Sequence, residues 1–305
     1  MASRAPVVAH QPAGPSAVPT LRGLVRAVRP RQWVKNVLVL AAPAAAGMLG
    51  QPSVLLAAAI AFASFSMAAS GVYLINDARD VDADREHPVK RLRPIASGIL
   101  GVRMAYSVAG LLLVGALGLA LLATWQLMVV TAVYQAVQLG YSFGLKHQPV
   151  LDICIVASGF LLRGIAGGAA AHIPLSQWFL LVATFGSLFM VSGKRYAELQ
   201  LAERTGASIR RSLESYTSSY LRFVWTMSAS AAILTYCLWA FELNTRSNSP
   251  WGVISIAPFL VAVLRYAVDV DGGAAGEPEE IAMSDRVLQL LAAVWLVTLG
   301  LSAYL

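Results

Sequence analysis

The chain carries four aspartates within eight residues directly after a long apolar stretch: residues 54–75 lead into Asn76-Asp77-Ala78-Arg79-Asp80-Val81-Asp82-Ala83-Asp84. If the helix of the apolar stretch continues, three of these carboxylates share one face: Asp77, Asp80 and Asp84. Asn76 lies beside this face and Asp82 points away from it. Carboxylates stacked on one face repel one another and are comfortable only beside a cation. Hard oxygen ligands favour Mg²⁺, which completes its shell with water and substrate phosphate. A solvated acidic loop is the alternative; we favour a magnesium–diphosphate site.

The composition indicates a membrane protein. Apolar residues make up 57% of the 305 positions and charged residues only 13%, whereas a soluble domain carries about 25% charged residues. A helix crosses a bilayer with about 20 apolar residues, so the chain has room for eight or nine crossings. This excludes a cytosolic enzyme, a nucleic-acid binder and a secreted disulfide scaffold. We predict nine spans: 34–49, 54–75, 104–123, 127–145, 150–171, 175–191, 223–243, 251–268 and 287–305.

The distribution of positive charge predicts the orientation of these spans. Of the 23 Lys and Arg residues, 21 lie in the amino-terminal stretch or in alternate connections. Because positive charge collects on the cytoplasmic side, we expect the amino terminus and the polar motifs in the cytoplasm and the protein in the plasma (inner) membrane. Residues 1–20 read as a disordered tail, about 21–32 as a basic interfacial helix, and 21–305 as one domain.

Two basic segments accompany the aspartates on this side. Lys90-Arg91-Leu92-Arg93-Pro94 follows them closely, as expected where an anion larger than a lone metal ion is held, although topology alone also places cations in such loops. Lys194-Arg195-Tyr196-Ala197-Glu198 follows the sixth span. Its two cations accompany one carboxylate, which favours direct binding of phosphate, with a simple ion pair within the helix as the alternative.

One charge lies inside a predicted span. Arg163 sits in the middle of the fifth span, where a charge costs about 3 kcal/mol or more unless it meets water or a partner. Asp152 lies eleven residues earlier on nearly the same face, so the two could line one wall of a cavity. Tyr141-Ser142-Phe143-Gly144-Leu145-Lys146 brings a lysine to the same rim. We therefore treat Arg163 as a functional candidate.

These features resemble the UbiA-type intramembrane prenyltransferase superfamily. The matching motifs are Asn76-Asp77-x-x-Asp80-x-x-x-Asp84 and Arg93-Pro94-Ile95-Ala96-Ser97-Gly98, in nine spans that start inside. The resemblance covers about residues 20–305. It implies an all-α polytopic fold, a nine-helix bundle with a polar cavity facing the cytoplasm. Family members hold two aspartate-rich motifs that bind a prenyl diphosphate through Mg²⁺ and transfer the prenyl chain to an acceptor.

The second motif departs from this pattern, since Lys194-Arg195-Tyr196-Ala197-Glu198 replaces a pair of aspartates. Together with Arg29-Pro30-Arg31-Gln32-Trp33-Val34-Lys35-Asn36 and the Tyr141–Lys146 stretch, it looks like the branch of decaprenyl-phosphate phosphoribosyltransferases. That resemblance implies a sugar donor, 5-phosphoribosyl 1-diphosphate, and a polyprenyl phosphate acceptor. Diphosphate would leave, and 5-phosphoribosyl-1-phosphoryl-decaprenol would feed synthesis of cell-wall arabinan.

The resemblance also suggests roles for individual residues. Mg²⁺ is expected on Asn76, Asp77, Asp80 and Asp84, with Asp77 and Asp84 as the catalytic carboxylates. The donor is expected to contact Lys90, Arg91, Lys194 and Arg195 through its phosphates, and Tyr196 and Glu198 through its ribose. Candidates for the lipid phosphate or the cavity wall are Lys35, Tyr141, Lys146 and Arg163.

Two other functions fit parts of the sequence. An aromatic prenyltransferase making a quinone or haem precursor would use a polyprenyl diphosphate, but an acidic pair at residues 194–198 would have favoured it. A transporter would carry charges towards the bilayer centre from both sides, whereas nearly all polar chemistry here lies on one side. The expected partners are the sugar diphosphate and the lipid, without nucleic acid, and a homo-oligomer is compatible with this interpretation.

Overall fold

The computed structural model describes residues 21–206, 213–272, 281 and 283–304, and within them the chain is helical without strands. The predicted tail, 1–20, lies outside these residues. The α-helices in chain order are α1 (Leu21–Ala27), α2 (Ala41–Ala45), α3 (Pro52–Arg79), α4 (Val81–Glu86), α5 (Val102–Ala123), α6 (Trp125–Ser142), α7 (Leu151–Ala171), α8 (Gln177–Thr205), α9 (Ser218–Ser247), α10 (Trp251–Ile254), α11 (Ile256–Asp271) and α12 (Arg286–Tyr304). Three 3₁₀-helices cover Pro30–Leu40, Lys90–Leu92 and Leu145–His147.

Six helical segments of the described chain are long and apolar enough to cross a membrane, judged by length and composition: α3, α5, α7, residues 218–245 of α9, Trp251–Asp271 and α12. Helices α6 and α8 coincide with two further predicted spans but are less apolar. Gln135 and Gln138 lower the apolar content of α6, and the last three turns of α8 are rich in charged residues. The prediction of an all-α chain is confirmed for the described residues.

The segment before α3 differs from the prediction. Residues 30–40 form a 3₁₀-helix that continues into the short α2, where an α-helical span over 34–49 was expected. The predicted interfacial helix over 21–32 also ends early, at Ala27, because Arg29 takes a left-handed conformation (φ 54°) directly before Pro30. A residue before proline is disfavoured in the right-handed helical region, so the helix cannot run through this point.

The 3₁₀-helix lies directly against α7. A side-chain carbon at Gly167 would come within 1.8 Å of the carbonyl oxygen of Val39, so only glycine permits this close approach. Asn36, on the same 3₁₀-helix, is fully buried. The segment is therefore part of the packed bundle and not a surface strap.

Short connections from α5 to α8 arrange these neighbouring helices antiparallel, and the contacts of Lys146 with Asp80 and of Arg265 with Asp285 join the ends of the other helices. The carboxyl ends of α3, α6, α8 and α11 consequently meet the amino ends of α5, α7, α9 and α12 at one end of the bundle, called here the motif end because it contains the aspartates of residues 77–84. Helix α3 packs on α5, α6 and α7, while α8 packs on α7 and α9. Helix α7 thus lies between the two halves and touches both.

Candidate functional site

Asp77 is a buried carboxylate of the motif end that two arginines contact. It lies on the last turn of α3 and is 3% exposed. Arg29 donates to both of its oxygens, at 2.6 and 2.7 Å, and Arg93 donates to Oδ1 at 3.0 Å. Two guanidinium groups therefore hold one buried carboxylate.

Arg93 joins Asp77 to Asp84. The same nitrogen, Nη1, that contacts Asp77 also donates to Oδ2 of Asp84 at 2.7 Å. Asp84 is as buried as Asp77, at 3% exposure. The continuous helix assumed in the sequence analysis does not bring them together, because α3 ends at Arg79 and α4 begins at Val81. A turn and a shared arginine place both carboxylates at one point, and we call Asp77, Asp84, Arg29 and Arg93 the aspartate–arginine cluster.

The other aspartates of the stretch have separate partners. Lys146 donates to both oxygens of Asp80, at 2.7 and 2.8 Å, and so ties the end of α3 to the 3₁₀-helix after α6. Asp82 is 89% exposed and pairs with Arg85, three residues further along the chain. Asn76 is half-buried, and its carbonyl oxygen accepts the backbone N–H of Asp80.

A second charged group lies between α7 and α8, which we call the α8 cluster: Asp152, Lys194, Arg195 and Glu198. Arg195 places Nε 3.8 Å from Oδ2 of Asp152 and Nη1 3.4 Å from Glu198. Lys194 lies 3.9 Å from Glu198. Tyr141 is close enough to Arg195 to interact with its charge. The ion pair within the helix that the sequence analysis allowed is therefore present, with Asp152 of α7 as an additional partner.

Tyr216 reaches this cluster from the connection between α8 and α9. Its hydroxyl donates to Oδ1 of Asp152 and accepts the backbone N–H of Val150, both at 2.5 Å. Burial and the bond to Asp152 raise the pKa of Tyr216, so the phenol keeps its proton at neutral pH. Asp152 is 1% exposed and completely enclosed by these groups.

Tyr196 does not join the cluster although it follows Arg195 directly. Its ring stacks on Trp225, and its hydroxyl bonds Asp271 at 2.9 Å together with Arg222 and Gln200. Neighbouring residues on a helix differ in direction by about 100°. Arg195 therefore points towards α7, whereas Tyr196 points towards α9 and α11. The expectation that Tyr196 positions the ribose conflicts with this placement.

Three further predicted cations lie on 3₁₀-helices. Lys90 is half-buried and Arg91 is exposed, both on the 3₁₀-helix that precedes Arg93. Lys35 is half-buried on the first 3₁₀-helix. Within the basic segment of residues 90–94, Arg93 is the residue that contacts Asp77 and Asp84.

Arg163 has a structural position. It is 5% exposed and donates to Oδ1 of Asn36 at 2.7 Å, to the carbonyl oxygen of Gly159 at 2.6 Å and to the hydroxyl of Tyr134 at 3.2 Å. Asn36 in turn donates to Ser66 of α3. The arginine fastens the 3₁₀-helix to α7 with neutral partners, a placement that favours a structural role over the predicted one at a lipid phosphate or in a cavity wall shared with Asp152.

Sequence reasoning missed three contacts of the site: Arg29, Arg93 and Tyr216. Arg29 and Arg93 stood in the quoted motifs, each directly before a proline, and that shared context was the available signal. Proline fixes the backbone after each arginine. Tyr216 lies 64 residues from Asp152, and nothing local in the sequence marks it.

The donor chemistry of the aspartates fits Mg²⁺. Asp77 and Asp84 flank one position, which a guanidinium nitrogen takes in this structure, and Asn76 and Asp80 add oxygen donors at the same helix end. Carboxylate and amide oxygens are the ligands this ion accepts. Among the described residues no three acid, Cys or His side chains already form a group able to hold a metal. A metal here would therefore share the carboxylates with the arginines.

Comparison with known proteins identifies relatives of this chain in sequence and in fold. The chain is 61% identical to the decaprenyl-phosphate phosphoribosyltransferase of Mycolicibacterium smegmatis over 92% of both chains, and 62% identical to that of Mycobacterium tuberculosis over 91% of this chain and 93% of the relative. A UbiA homolog from Archaeoglobus fulgidus, solved with DMAPP and Mg²⁺, shares the fold with a TM-score of 0.71 at 15% identity, over 92% of this chain and 99% of that one. The model of the UbiA prenyltransferase family matches residues 36–284, and the chain belongs to that family.

Proposed function

We propose that the protein transfers the 5-phosphoribosyl group of 5-phosphoribosyl 1-diphosphate to decaprenyl phosphate and releases diphosphate. The product, 5-phosphoribosyl-1-phosphoryl-decaprenol, would serve cell-wall arabinan synthesis. The observation that carries the proposal is the α8 cluster, in which Lys194 and Arg195 stand where prenyl-diphosphate enzymes have a second aspartate motif. The relatives with this enzyme name, similar over nine-tenths of both chains, support it.

The charge of the motif end suits a donor with phosphates at both ends. The aspartate–arginine cluster, the α8 cluster and the Asp80–Lys146 pair together contain the carboxylates Asp77, Asp80, Asp84, Asp152 and Glu198 and the cations Arg29, Arg93, Lys146, Lys194 and Arg195. The two sets are equal in number, whereas two aspartate motifs would leave a strong negative excess. Phosphates can consequently contact cations of the chain directly, in addition to any bound metal.

In the proposed reaction Mg²⁺, held by Asp77 and Asp84 with Asn76 and Asp80, would neutralise the leaving diphosphate. Lys194 and Arg195, with Lys90 and Arg91, bind the donor phosphates, and Glu198 accepts a ribose hydroxyl. Lys35, Tyr141 and Lys146 surround the lipid phosphate. That acceptor is already anionic near neutral pH, so it needs no general base, and attack from the face opposite the diphosphate inverts C1.

Catalysis then consists of positioning and charge neutralisation. The arginines and lysines hold both substrates in line, and developing positive charge at C1 forms beside the carboxylates of the motif end. All residues named come from one chain, so the reaction scheme holds for a monomer and for a homo-oligomer.

The family and its apolar helices make the chain a multi-pass membrane protein. We propose that α6, α8 and the segment of residues 30–45 complete nine crossings, together with the six apolar helices. The excess of positive charge at the motif end supports a cytoplasmic position in the plasma membrane, where the water-soluble sugar diphosphate is available. The polyprenyl chain would enter sideways between helices.

The proposal is tested with purified protein, labelled 5-phosphoribosyl 1-diphosphate and decaprenyl phosphate. We expect a labelled lipid that forms with Mg²⁺ and stops with a chelator. A parallel reaction offers a prenyl diphosphate and an aromatic acid. Turnover only in the parallel reaction would replace the proposal by the aromatic prenyltransferase.

A further inference from the structure

We propose that Tyr216 is a positioning residue: through Asp152 it fixes the guanidinium of Arg195 where a phosphate of the sugar donor binds. The inference rests on the proposed function and adds a residue to it from outside the helices of the site. It predicts that the connection between α8 and α9 contributes to donor affinity although its tyrosine does not touch the donor.

The polarity of the hydrogen bonds fixes the orientation of the phenol. A tyrosine hydroxyl has one proton. Since the N–H of Val150 is a donor, the hydroxyl accepts there and gives its proton to Oδ1 of Asp152. Tyr216 thus holds a carboxylate oxygen and a backbone amide at the same time.

Val150 shows that this contact constrains the chain. It lies directly before α7 with φ 70° and ψ −48°, a region that a β-branched residue rarely adopts. Such strained backbone conformations persist, often at functional sites, where several surrounding contacts enforce them. The hydroxyl of Tyr216 supplies one such contact, two residues before Asp152.

The second oxygen of Asp152 is the part that acts on Arg195. Oδ2 is buried and has no hydrogen-bond partner among the residues that the structure describes, and Nε of Arg195 lies 3.8 Å from it. With Oδ1 held by Tyr216, rotation of the carboxylate is blocked and Oδ2 stays directed at the guanidinium. Site contacts that are long without substrate commonly tighten when it binds. Arg195 is therefore held from Asp152 on one side and from Glu198, at 3.4 Å, on the other.

The chain provides a matched pair of variants. Tyr216 stacks on Tyr220, with ring centroids 5.7 Å apart and planes 15° apart, so Tyr216→Phe removes the hydroxyl and keeps the ring contact. Tyr220→Phe removes the neighbouring hydroxyl from the same stack and leaves Asp152 untouched. The two variants separate loss of one specific hydrogen bond from loss of a phenol in this connection.

The experiment measures KM for both substrates and kcat in wild type, Tyr216→Phe and Tyr220→Phe. Loss of a hydrogen bond to a charged group is expected to raise KM for the sugar diphosphate about tenfold in Tyr216→Phe. KM for decaprenyl phosphate and all constants of Tyr220→Phe should stay within about twofold. Equal increases for both substrates, or no increase for the donor, would overturn the inference.

A second variant keeps the test decisive if Tyr216→Phe does not fold. Asp152→Asn conserves shape and the acceptor for Tyr216 but removes the charge that faces Arg195, so the donor KM should rise again. In the double variant the two effects should not multiply, because both act through one carboxylate; multiplying effects would refute the relay. The wild-type assay comes first: without phosphoribosyl-lipid the proposed function fails, whereas a productive wild type with an unchanged donor KM in both variants refutes only this inference.

Discussion

Arg29 donates to both carboxylate oxygens of Asp77, at 2.6 and 2.7 Å, across 48 residues of sequence. The contact joins the segment before the first 3₁₀-helix to the end of α3. Arg29 also lies over the ring of Tyr73, 4.9 Å from its centroid, so its guanidinium is fixed on two sides. A single nitrogen, Nη2, donates to both oxygens, which orients the carboxylate as well as neutralising it. The remaining contact of Asp77, Arg93, reaches Asp84.

The aspartates give the first prediction. Asp77→Asn and Asp84→Asn should each lower kcat/KM for the sugar diphosphate about hundredfold or more, because they remove buried negative charge at the proposed metal position. Asp82→Asn is the matched control: it belongs to the same stretch but is 89% exposed, and its activity should remain within about twofold. Turnover assays over a range of Mg²⁺ concentrations measure the effect. Full activity in either of the first two variants would contradict the assignment.

Lys194 gives the second. Lys194→Ala should raise KM for the sugar diphosphate by about tenfold, the loss expected for a charged hydrogen bond to phosphate, and raise KM for the lipid less. Arg204→Ala, nearly three turns further along α8, removes a side chain that bonds Gln200 and should leave both constants unchanged. The reverse ordering of the two KM values would place Lys194 at the lipid phosphate.

Arg163 is expected to act on stability. Arg163→Met leaves the buried oxygens of Asn36 and Tyr134 without their donor and should lower the free energy of unfolding by about 2–4 kcal/mol. Thermal unfolding in detergent measures the change. The control is Arg31→Met, which replaces an exposed arginine on the 3₁₀-helix that contains Asn36. At a temperature where the variant is folded, KM for the lipid should match wild type. A selective rise in that KM would return Arg163 to the lipid site.

The ion pair of Asp285 with Arg265 is expected to make the thermal stability depend on pH. It accepts from Nε of Arg265 at 2.5 Å and from the backbone N–H of Val287 at 2.8 Å, and these contacts, the arginine first, lower its pKa. A carboxyl whose pKa is lowered on folding stabilises the protein above its ordinary pKa, and this contribution is lost as pH falls through the lowered value. Asp285→Asn should therefore reduce Tm at pH 7.

The same comparison at acid pH completes this prediction. The difference in Tm between wild type and Asp285→Asn should shrink steadily below about pH 4, where the unfolded carboxyl protonates. Glu86→Gln, an exposed carboxyl at the end of α4, should show no such difference at either pH. A difference that stays constant into acid would mean that the ion pair with Arg265 does not stabilise the bundle.

Local sequence patterns were enough to predict most of the long helices and the end of the bundle that contains the aspartates. The apolar stretch of residues 54–75 forms most of α3, and the aspartates follow at its carboxyl end as predicted, because the requirement to bury apolar side chains acts on consecutive residues. The same reasoning failed at residues 34–49. There the close packing of Val39 against Gly167 accompanies a 3₁₀-helix, and packing against a distant helix leaves no periodic signal.

What the sequence determined by itself was a helical membrane chain with its charges at one end and a family motif of aspartates. Only the tertiary structure decided which partners each carboxylate meets: Arg29 and Arg93 for Asp77, Lys146 for Asp80, and Tyr216 with Arg195 for Asp152. The physical reason is range. Helix formation and burial depend on neighbours within a few turns, whereas an ion pair across 48 or 66 residues exists only after the bundle has packed.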